Sequence, residues 1–315
     1  MKIVYGIHGF GRGHAMRALA ILPELTKRHE VVILAGGDAY HALSPDYPVI
    51  RVPTMAYYRI GKGRISVFRT VKRNLPMLLD IAASGAVLEM ALEIMREFRP
   101  DFVISDSEVY THRAARQLRI PRMTFDHFGF LVYCRPEMSR IDRLRCWGNA
   151  LVYRWLFGEP ERVLVASFFD ASARRSEVRL VGPVIREEVR SVEASRGDHL
   201  LVYFSKGDQE FSQRIRHALL ELDCPVRIYG TSCRGLQENL QFKPLSNLPF
   251  IEDLASSRAV FGTTGNQLIS EVLYYGKPLL GMPIDCLEQR LNAAQIERLG
   301  MGVAGRVKTG HYWAG

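Results

Sequence analysis

A histidine stands in a glycine-rich turn near the start of the chain, within GIHGFGRGHAMRA at residues 6–18. Gly9, Gly11 and Gly13 would let the backbone approach a ligand closely, and a helix is predicted to begin near His14. Because histidine titrates near neutral pH, His14 is a candidate general base. The alternative is that His14 caps the helix or is merely exposed to solvent.

A second group of polar residues follows a predicted strand in FGTTGNQLISEVLYYGKPLLGMPIDCLEQRLNAAQIERLGMG, residues 261–302. Thr264, Gly265 and Asn266 open a predicted helix, and Glu271 lies about one and a half turns further on. Main-chain N–H groups at a helix start can bind phosphate, and a nearby carboxylate can accept hydrogen bonds from ribose hydroxyls. Taken alone, Glu271 could simply lie on a solvated helix face. The ordered combination favours a nucleotide site.

The first glycine turn fits an NAD site poorly. That fingerprint requires GxGxxG or GxGxxA, whereas His14 stands where the third small residue belongs. Asp38, after VVILAGG, could imitate the ribose-binding acid of such a site, but the glycine spacing argues against it.

The elements that must position these residues follow a β-α-β rhythm. The apolar runs are KIVYGI, EVVILA, DFVISD, PRMTFD and RVLVAS, and then HLLVYFS, PVRIYG, NLPFI, AVFGT and PLLGMP. Helical patterns cover 14–28, 79–98, 108–118, 209–221 and 266–275. A turn-rich join near 186–198 separates the two series. The sequence therefore predicts an α/β protein with two Rossmann-like, doubly wound parallel-sheet domains, 1–185 and 186–315, whose ligands lie beyond the carboxyl ends of the strands.

Composition is that of a globular protein, with 47% hydrophobic and 24% charged residues among 315. Apolar runs stay shorter than the roughly 18 residues of a membrane span, and the apolar stretch at the start is too brief for a signal peptide. The five cysteines show no CxxC spacing, which favours free thiols in a reducing compartment. We therefore expect a cytoplasmic protein.

The net charge of +9 is confined to the first domain. Residues 1–185 hold 27 Lys and Arg against 18 Asp and Glu, and residues 186–315 hold 15 of each. Within 47–79, seven basic residues and no acid alternate with aromatic and aliphatic side chains, a composition that suits an anionic membrane surface. The Arg-rich, aromatic stretch 135–157 could extend it. A solvated loop with a core-facing helix remains the alternative, and no nucleic-acid-binding motif is present.

Three stretches resemble GT-B glycosyltransferases, particularly the inverting enzymes that include the bacterial GlcNAc transferase making peptidoglycan lipid II. PFIEDLASSRAVFGTTGNQLISEVLYYGKPLLGMP…EQRLNA…LGMG is similar to that family's donor-binding series, GRGHAMRA to its glycine-rich N-terminal loop, and VGPVIR to its interdomain stretch. The resemblance implies two domains that face a central cleft. Residues 1–185 would then form the acceptor side and residues 186–315 the nucleotide-sugar donor side.

The resemblance also implies roles for single residues. The nucleotide-binding set comprises Arg186, Ser205, Lys206, Phe250, Ile251, Thr264, Gly265, Asn266 and Glu271. Asp285, Glu288 and Gln289 would hold the donor sugar. Main-chain groups near Phe250 and Ile251 would read the base, Arg186 would approach the phosphates, and His14 would deprotonate the acceptor. The resemblance requires neither a metal nor a cofactor, since the nucleotide sugar is a substrate.

Acceptor-side candidates come from loops at predicted strand ends of the first domain. They are Gly11, Gly13, Asp106, Asp126 and His127. Either aspartate may equally be a helix cap.

The chain departs from the family pattern in two places. YFSKGDQEF replaces a Gly-Gly-Ser type of loop, and the chain stops soon after MGVAGRV, where GT-B enzymes usually continue with a final helix. The second domain is therefore expected to be truncated or abbreviated. Retaining GT-B enzymes carry a second Glu seven residues before the ribose one; Thr264 occupies that position, which favours inversion.

The leading hypothesis is an inverting, metal-independent glycosyltransferase that moves a sugar from a nucleotide sugar, most simply UDP-linked, to a lipid-linked or membrane-glycan acceptor. It would work in the cytoplasm, peripherally on the inner face of the cell membrane, without a nucleic-acid partner. One alternative is a sugar-nucleotide isomerase resembling UDP-GlcNAc 2-epimerase, although PIDCLEQRLNA stands where a Thr-Glu-Arg-Pro-Glu-like run is expected. The other is a catalytically inactive, membrane-associated partner subunit.

Overall fold

The computed structural model describes residues 1–60, 64–205, 207–305, 307–308 and 311–312. Lys206, one of the predicted nucleotide-binding residues, lies outside the described residues, as do 61–63 of the basic segment 47–79. The chain divides into two compact units: Met1–Arg59 with Ile65–Val184, and Ile185–Gly315 with Ile60–Arg64. Their division into acceptor side and donor side stays a prediction.

The first unit is built on a parallel sheet of seven strands. Up to Val184 the strands are β1 (Lys2–Ile7), β2 (Glu30–Ala35), β3 (Val49–Arg51), β4 (Arg59–Ile60), β5 (Arg64–Ile65), β6 (Phe102–Asp106), β7 (Arg122–Asp126), β8 (Cys134–Arg135), β9 (Arg162–Ala166), β10 (Ser172–Ala173) and β11 (Val178–Val181). The helices are α1 (Arg12–Arg28), α2 (Gly37–Leu43), α3 (Val67–Ala83), α4 (Ala86–Phe98), α5 (Val109–Leu118), α6 (Gly129–Tyr133) and α7 (Arg140–Phe157). The strand order is β3-β2-β1-β6-β7-β9-β11, so the winding reverses between β1 and β6.

The sequence of β1 explains its central position in the sheet. Lys2 is exposed, but every residue from Ile3 to Ile7 is buried, as expected of a parallel strand covered by helices on both faces. Ala15, Ala18 and Leu22 of α1 bury against this core because residues three and four apart share one face of a helix.

The second unit repeats the architecture. Its strands are β12 (Leu200–Tyr203), β13 (Val226–Tyr229), β14 (Gly235–Gln237), β15 (Leu240–Phe242), β16 (Ala259–Thr263), β17 (Leu279–Met282), β18 (Gly302–Ala304), β19 (Val307–Lys308) and β20 (His311–Tyr312). Its helices are α8 (Glu187–Arg190), α9 (Gln213–Leu220), α10 (Asn247–Ala255), α11 (Asn266–Tyr274) and α12 (Leu287–Arg298), with a 3₁₀ turn at Gly207–Gln209. The order is β18-β17-β16-β12-β13-β15-β14, parallel except for β14, and the winding reverses between β12 and β16.

These two doubly wound parallel sheets confirm the predicted fold class, with two corrections to single elements. The predicted helix 79–98 is interrupted, because Ser84 is left-handed at φ 52° and the Asp80 carboxylate caps α4 through the N–H groups of Val87 and Leu88. NLPFI is not a strand but lies in α10. Pro249 has no N–H to give to a sheet ladder and fits the first turn of a helix.

Among the described residues, no single helix has the length and apolar composition to cross a membrane. The pair Phe68–Ala83 and Ala86–Phe98, bent by 51°, passes that test only when the two helices are taken together.

Candidate active site

The loop after β1 lies beside the end of β6, where the winding of the first sheet reverses. Ile7 pairs with Asp106, and the His8 N–H donates to the Asp106 carbonyl at 2.9 Å. Open α/β sheets bind ligands at this point, because the loops on either side diverge and leave a crevice. Topology therefore brings the predicted base loop and one predicted acceptor-side loop together.

The glycine-rich loop is held in shape by Asp38. The Gly11 N–H donates to Asp38 Oδ2 at 2.9 Å, so this carboxylate fixes the loop. Gly11 has φ 92° and ψ 151°, a conformation open mainly to glycine. A Cβ on Gly9 would lie 1.9 Å from the Gly36 carbonyl oxygen, so only glycine allows the two loops to approach. Gly13 is exposed in the first turn of α1.

His14 pairs with Asp106. Its Nδ1 lies 2.6 Å from Asp106 Oδ1. Arg17, one turn further along α1, donates from Nε to Oδ2 at 2.8 Å and from Nη2 to Oδ1 at 2.6 Å. The Asp106 side chain is fully buried, whereas that of His14 is 22% exposed. Asp106 is therefore placed to support His14, and its own direct contact with an acceptor stays a prediction.

The charges around Asp106 favour one tautomer of His14. Burial raises the pKa of Asp106, but Arg17 and His14 together outweigh burial, and the pKa lies below the ordinary value of a carboxyl group. Burial likewise lowers the pKa of Arg17, and Asp106 reverses this and raises it overall. An ionised Asp106 accepts the hydrogen of His14 Nδ1, which leaves the lone pair on Nε2. Nε2 can then take a proton from a substrate.

The remaining acceptor-side candidates brace the neighbouring loops. Asp126 is buried and accepts from Ser107 Oγ at 2.6 Å, Tyr153 Oη at 2.5 Å and the Gly129 N–H at 2.7 Å. His127 is also buried, and its Nδ1 donates to the Ala166 carbonyl at 2.8 Å. Asp126 thus caps the start of α6, one of the alternatives drawn from the sequence, whereas α5 is capped by Glu108.

In the second unit the corresponding reversal lies between β12 and β16. Ser205 is exposed in the loop after β12. After β16, Gly265 precedes α11, which has neither a side-chain cap nor an acid in its first turn. The dipole of α11 is therefore not opposed by a cap or by an acid of its own first turn. Asn266 is buried, and its Oδ1 has no hydrogen-bond partner among the described residues, so a ligand hydroxyl could supply the missing donor.

Gln289 ties two loops of the second unit together. Thr264 Oγ1 donates to the Gln289 carbonyl at 2.8 Å, and Gln289 Oε1 accepts from the Ile284 N–H at 3.1 Å. Asn292 Nδ2 donates to the Thr264 carbonyl at 3.0 Å. The loops after β16 and β17 are thereby fixed to each other. Asp285 and Glu288 are half-buried in the same stretch, and their contact with a sugar stays a prediction.

Glu271 and Arg186 form a buried ion pair in the second unit. Arg186 donates to Glu271 Oε1 from Nε at 3.0 Å and from Nη2 at 2.9 Å, and its Nη1 donates to Asn247 Oδ1. Gln267 Nε2 donates to the same Oε1 at 3.0 Å. Glu271 Oε1 thus accepts three hydrogen bonds, two from Arg186 and one from Gln267, and Oε2 accepts none of the three. Arg186 is predicted to approach phosphate. In the structure it orients Glu271, the residue predicted to bind the ribose.

The residues predicted to bind the base lie on the same helix as Asp253, which is the centre of a second charged cluster. Phe250 and Ile251 are buried in α10, and Phe250 packs edge-on to Tyr203 and Tyr229. In the next turn, Asp253 accepts from the following three side chains, each at 2.5 Å: Arg227 Nη1, Tyr229 Oη and Lys243 Nζ. Burial raises the pKa of Asp253, but these partners lower it below the ordinary value.

Sequence reasoning missed the partners in these clusters. Arg17, Asn247 and Asp253 were not singled out, although the i, i+3 spacing of His14 and Arg17 on α1 was a usable signal. Within the described residues, no group of three or more His, Cys, Asp or Glu side chains is arranged to hold a metal ion.

Comparison with known proteins gives consistent matches along the whole chain. The family model described as Glycosyl transferase family 1 matches residues 1–309. An uncharacterised glycosyltransferase of Methanosarcina acetivorans is 24% identical, with 96% of this chain and 85% of the relative covered.

Two solved structures show the same fold. The crystal structure of Acinetobacter baumannii MurG is 16% identical and superposes with a TM-score of 0.54 over 96% of this chain and 85% of its own. The Phytolacca americana UGT2, solved with UDP-2-fluoro-glucose and pterostilbene, is 14% identical and superposes with a TM-score of 0.61 over 98% and 86%.

Proposed function

The chain belongs to glycosyl transferase family 1, and from this premise we propose that it moves a sugar, with inversion, from a UDP-sugar to a lipid-linked or membrane-glycan acceptor. It is a glycosyltransferase with the GT-B fold, which argues against an isomerase and against an inactive subunit. The pairing of His14 with Asp106 carries the proposal, because it gives the chain a base with a free Nε2.

The start of α11 supports binding of the donor diphosphate. This helix has no side-chain cap, and the Asn266 Oδ1 beside its first turn lacks a partner among the described residues. Main-chain N–H groups and the helix dipole would stabilise the negative charge of the leaving nucleotide without a metal or cofactor. Ser205 would contribute from the loop after β12, and the role of Lys206 stays a prediction from the resemblance. That the Phytolacca protein was solved with a UDP-sugar analogue favours UDP as the nucleotide.

The ion pair between Arg186 and Glu271 supports a ribose site. Because Arg186 and Gln267 bond to Glu271 Oε1, Oε2 is directed to accept a ribose hydroxyl. Arg186 then acts on the nucleotide through Glu271 and not by touching phosphate. Main-chain groups of α10 near Phe250 and Ile251 would read the base, and Gln289 with Asp285 and Glu288 would hold the sugar.

The chemistry is a single displacement. His14 Nε2 takes the proton of the acceptor hydroxyl, the acceptor oxygen attacks the anomeric carbon, and the bond from that carbon to the diphosphate oxygen breaks. One displacement inverts the anomeric configuration. Thr264, at the position of the second glutamate of retaining relatives, donates to the Gln289 carbonyl and so has a structural task. The proton stays on His14, stabilised by Asp106.

The experiment is a thermal-shift screen with UDP, GDP and dTDP. A ligand present at a hundred times its Kd stabilises the native state by about 2.7 kcal/mol. Because the proposed donor is a UDP-sugar, UDP should raise the Tm more than GDP or dTDP does. Glu271→Gln should lose the UDP-induced rise, and the exposed Glu252→Gln is the matched control. An equal rise in wild type and Glu271→Gln would contradict the ribose assignment.

Product analysis tests the transfer itself. NMR of the anomeric centre should show inverted configuration, and EDTA should leave the rate unchanged. Retained configuration, or activity abolished by EDTA and restored by a divalent cation, would contradict the mechanism.

A further inference from the structure

Helix α7 exposes an apolar face to solvent on the side opposite its buried face. Cys146, Tyr153 and Phe157 point into the core. Six large apolar side chains are 47–71% exposed on the other side: Ile141, Leu144, Trp147, Leu151, Val152 and Trp155. Residues three, four and seven apart lie on one side of a helix, so these six form one continuous stripe, here called the α7 stripe.

The inner side of α7 is firmly attached. Tyr153 Oη donates to Asp126 at 2.5 Å, Cys146 Sγ donates to the Leu131 carbonyl at 3.0 Å, and Arg113 Nε donates to the Leu156 carbonyl at 2.7 Å. The exposure of the stripe therefore belongs to a fixed helix and not to a fraying end.

Arginines border the α7 stripe. Arg140, Arg143, Arg145 and Arg154 stand on the helix against one acid, Asp142. Arg154 pairs with Glu159, and Arg145 lies 3.9 Å from Asp142. Arg140 and Arg143 make no ion pair within the part of the chain that the structure describes. Their charges are available to an external anion.

A second apolar stripe lies in the same helical layer. Phe68, Val71, Leu75 and Leu79 of α3 are 46–78% exposed. The connections β3–β6, β6–β7 and β7–β9 all run in one direction across a parallel sheet, and right-handed crossovers put their helices on one face. Consistently, α3 packs on α4, α4 on α5 and α5 on α7.

We propose that the α7 stripe docks on an anionic lipid bilayer, with Trp147 and Trp155 at the level of the head groups and Arg140 and Arg143 on lipid phosphates. The inference rests on the proposed function, because a lipid-linked acceptor must be met at a membrane surface. Tryptophan suits that boundary since its ring is apolar and its N–H is polar, and each arginine near an anionic surface adds to the attraction.

Charge favours a bilayer over a second copy of the chain. A two-fold dimer through the α7 stripe would bring the same patch of each subunit together, arginine against arginine. Asp142, the one acid on α7, accepts from Ser139 at 2.8 Å and lies 3.9 Å from Arg145, so its charge is shared with its own helix. An anionic lipid surface would bury the apolar side chains of the α7 stripe and pair its phosphates with Arg140 and Arg143.

Tryptophan fluorescence gives a direct test, because two of the three tryptophans lie on the stripe. Trp313, the third, lies outside the described residues, and Trp313→Phe leaves only the stripe as the emitter. Adding vesicles of phosphatidylcholine and phosphatidylglycerol, at about 2:1, should shift the emission to the blue and protect it from an aqueous quencher. No shift, or an equal shift with phosphatidylcholine alone, would overturn the proposal.

Substitutions at exposed positions locate the contact. Leu144→Glu combined with Trp147→Glu should weaken vesicle co-sedimentation at least about tenfold, with an unchanged Tm. Leu236→Glu, equally exposed but in the second unit, should bind as wild type does. Equal binding by the double variant would refute the role of α7. So would a concentration-dependent dimer of the wild type that the double variant abolishes.

The vesicle experiments and the UDP thermal-shift experiment can fail independently of each other. Vesicle binding by a wild type that gains no stability from UDP would support the membrane contact while counting against the donor site. A UDP-stabilised protein without vesicle binding would keep the donor site and overturn the membrane contact.

Discussion

At the scale of single residues, the proposed function depends on two buried carboxylates. Asp106 contacts His14 Nδ1, and Glu271 is oriented by Arg186. Burial raises the pKa of Asp106, but Arg17 and His14 outweigh it, and each of the two carboxylates forms a buried ion pair with an arginine. Neither arginine needs to touch substrate to matter for turnover.

Asp106→Asn should lower kcat and leave donor binding nearly intact. The amide no longer holds the Nδ1 hydrogen of His14, and general-base catalysis contributes about 10²–10⁴-fold. Steady-state kinetics with a saturating donor measures the loss. Asp101→Asn, an exposed change at the opposite end of β6, is the control. An unchanged kcat would show that Asp106 is only structural.

Asp253→Asn should destabilise the second unit in a pH-dependent way. The folded pKa of Asp253 is depressed, so its contribution is complete above the ordinary carboxyl pKa of about 4 and is lost as the pH falls through the folded value. Urea unfolding should show a deficit of about 1–3 kcal/mol near neutral pH that shrinks in acid. The exposed Asp170→Asn should show neither effect, and a pH-independent deficit for Asp253→Asn would contradict the charge argument.

At the scale of elements, the start of α1 depends on one glycine. A Cβ added at Gly11 would have no atom within 4 Å. Gly11→Ala should therefore lower the free energy of unfolding through backbone strain alone, by about 1–3 kcal/mol at this φ. Transfer should fall as well, because the strain displaces the turn that carries His14. Gly148→Ala also meets open space, but inside helix α7 it should stabilise by about 0.5–1 kcal/mol. Equal urea-unfolding effects of both substitutions would contradict this assignment.

The local features of these elements were readable from the sequence. Apolar runs marked β1 and β16, a glycine-rich turn marked the start of α1, and small polar residues marked the start of α11. The ion pairs were not readable, because His14 meets Asp106 across 92 positions and Arg186 meets Glu271 across 85. Only the strand order, with β6 beside β1, shows that the first pair is close. NLPFI was misread because a short apolar run has no period that separates strand from helix.

At the scale of the whole molecule, charge and apolar exposure coincide in the first 185 residues. The excess of basic residues lies there, and so do the exposed faces of α3 and α7. Association with anionic lipid would therefore depend on that part of the chain and weaken with salt.

Replacing Arg69, Lys72 and Arg73 by glutamine should reduce retention on anionic vesicles by about two orders of magnitude, because each basic residue near the surface contributes about 1 kcal/mol. The salt dependence should flatten in parallel. Arg214→Gln, an exposed change in the second unit, should alter neither. Retention equal to that of wild type would remove α3 from the contact.

The reversal of winding beside the first strand of each sheet has a consequence for divergence. Among the predicted site residues, His14 lies just after the connection that follows β1, and Ser205 and Gly265 lie on the connections that follow β12 and β16. The strands beneath keep their register whatever those connections carry. Grafting the connections of a relative onto these sheets should therefore transfer that relative's substrate specificity. Sugar specificity could then change during evolution without substitutions in the hydrophobic core.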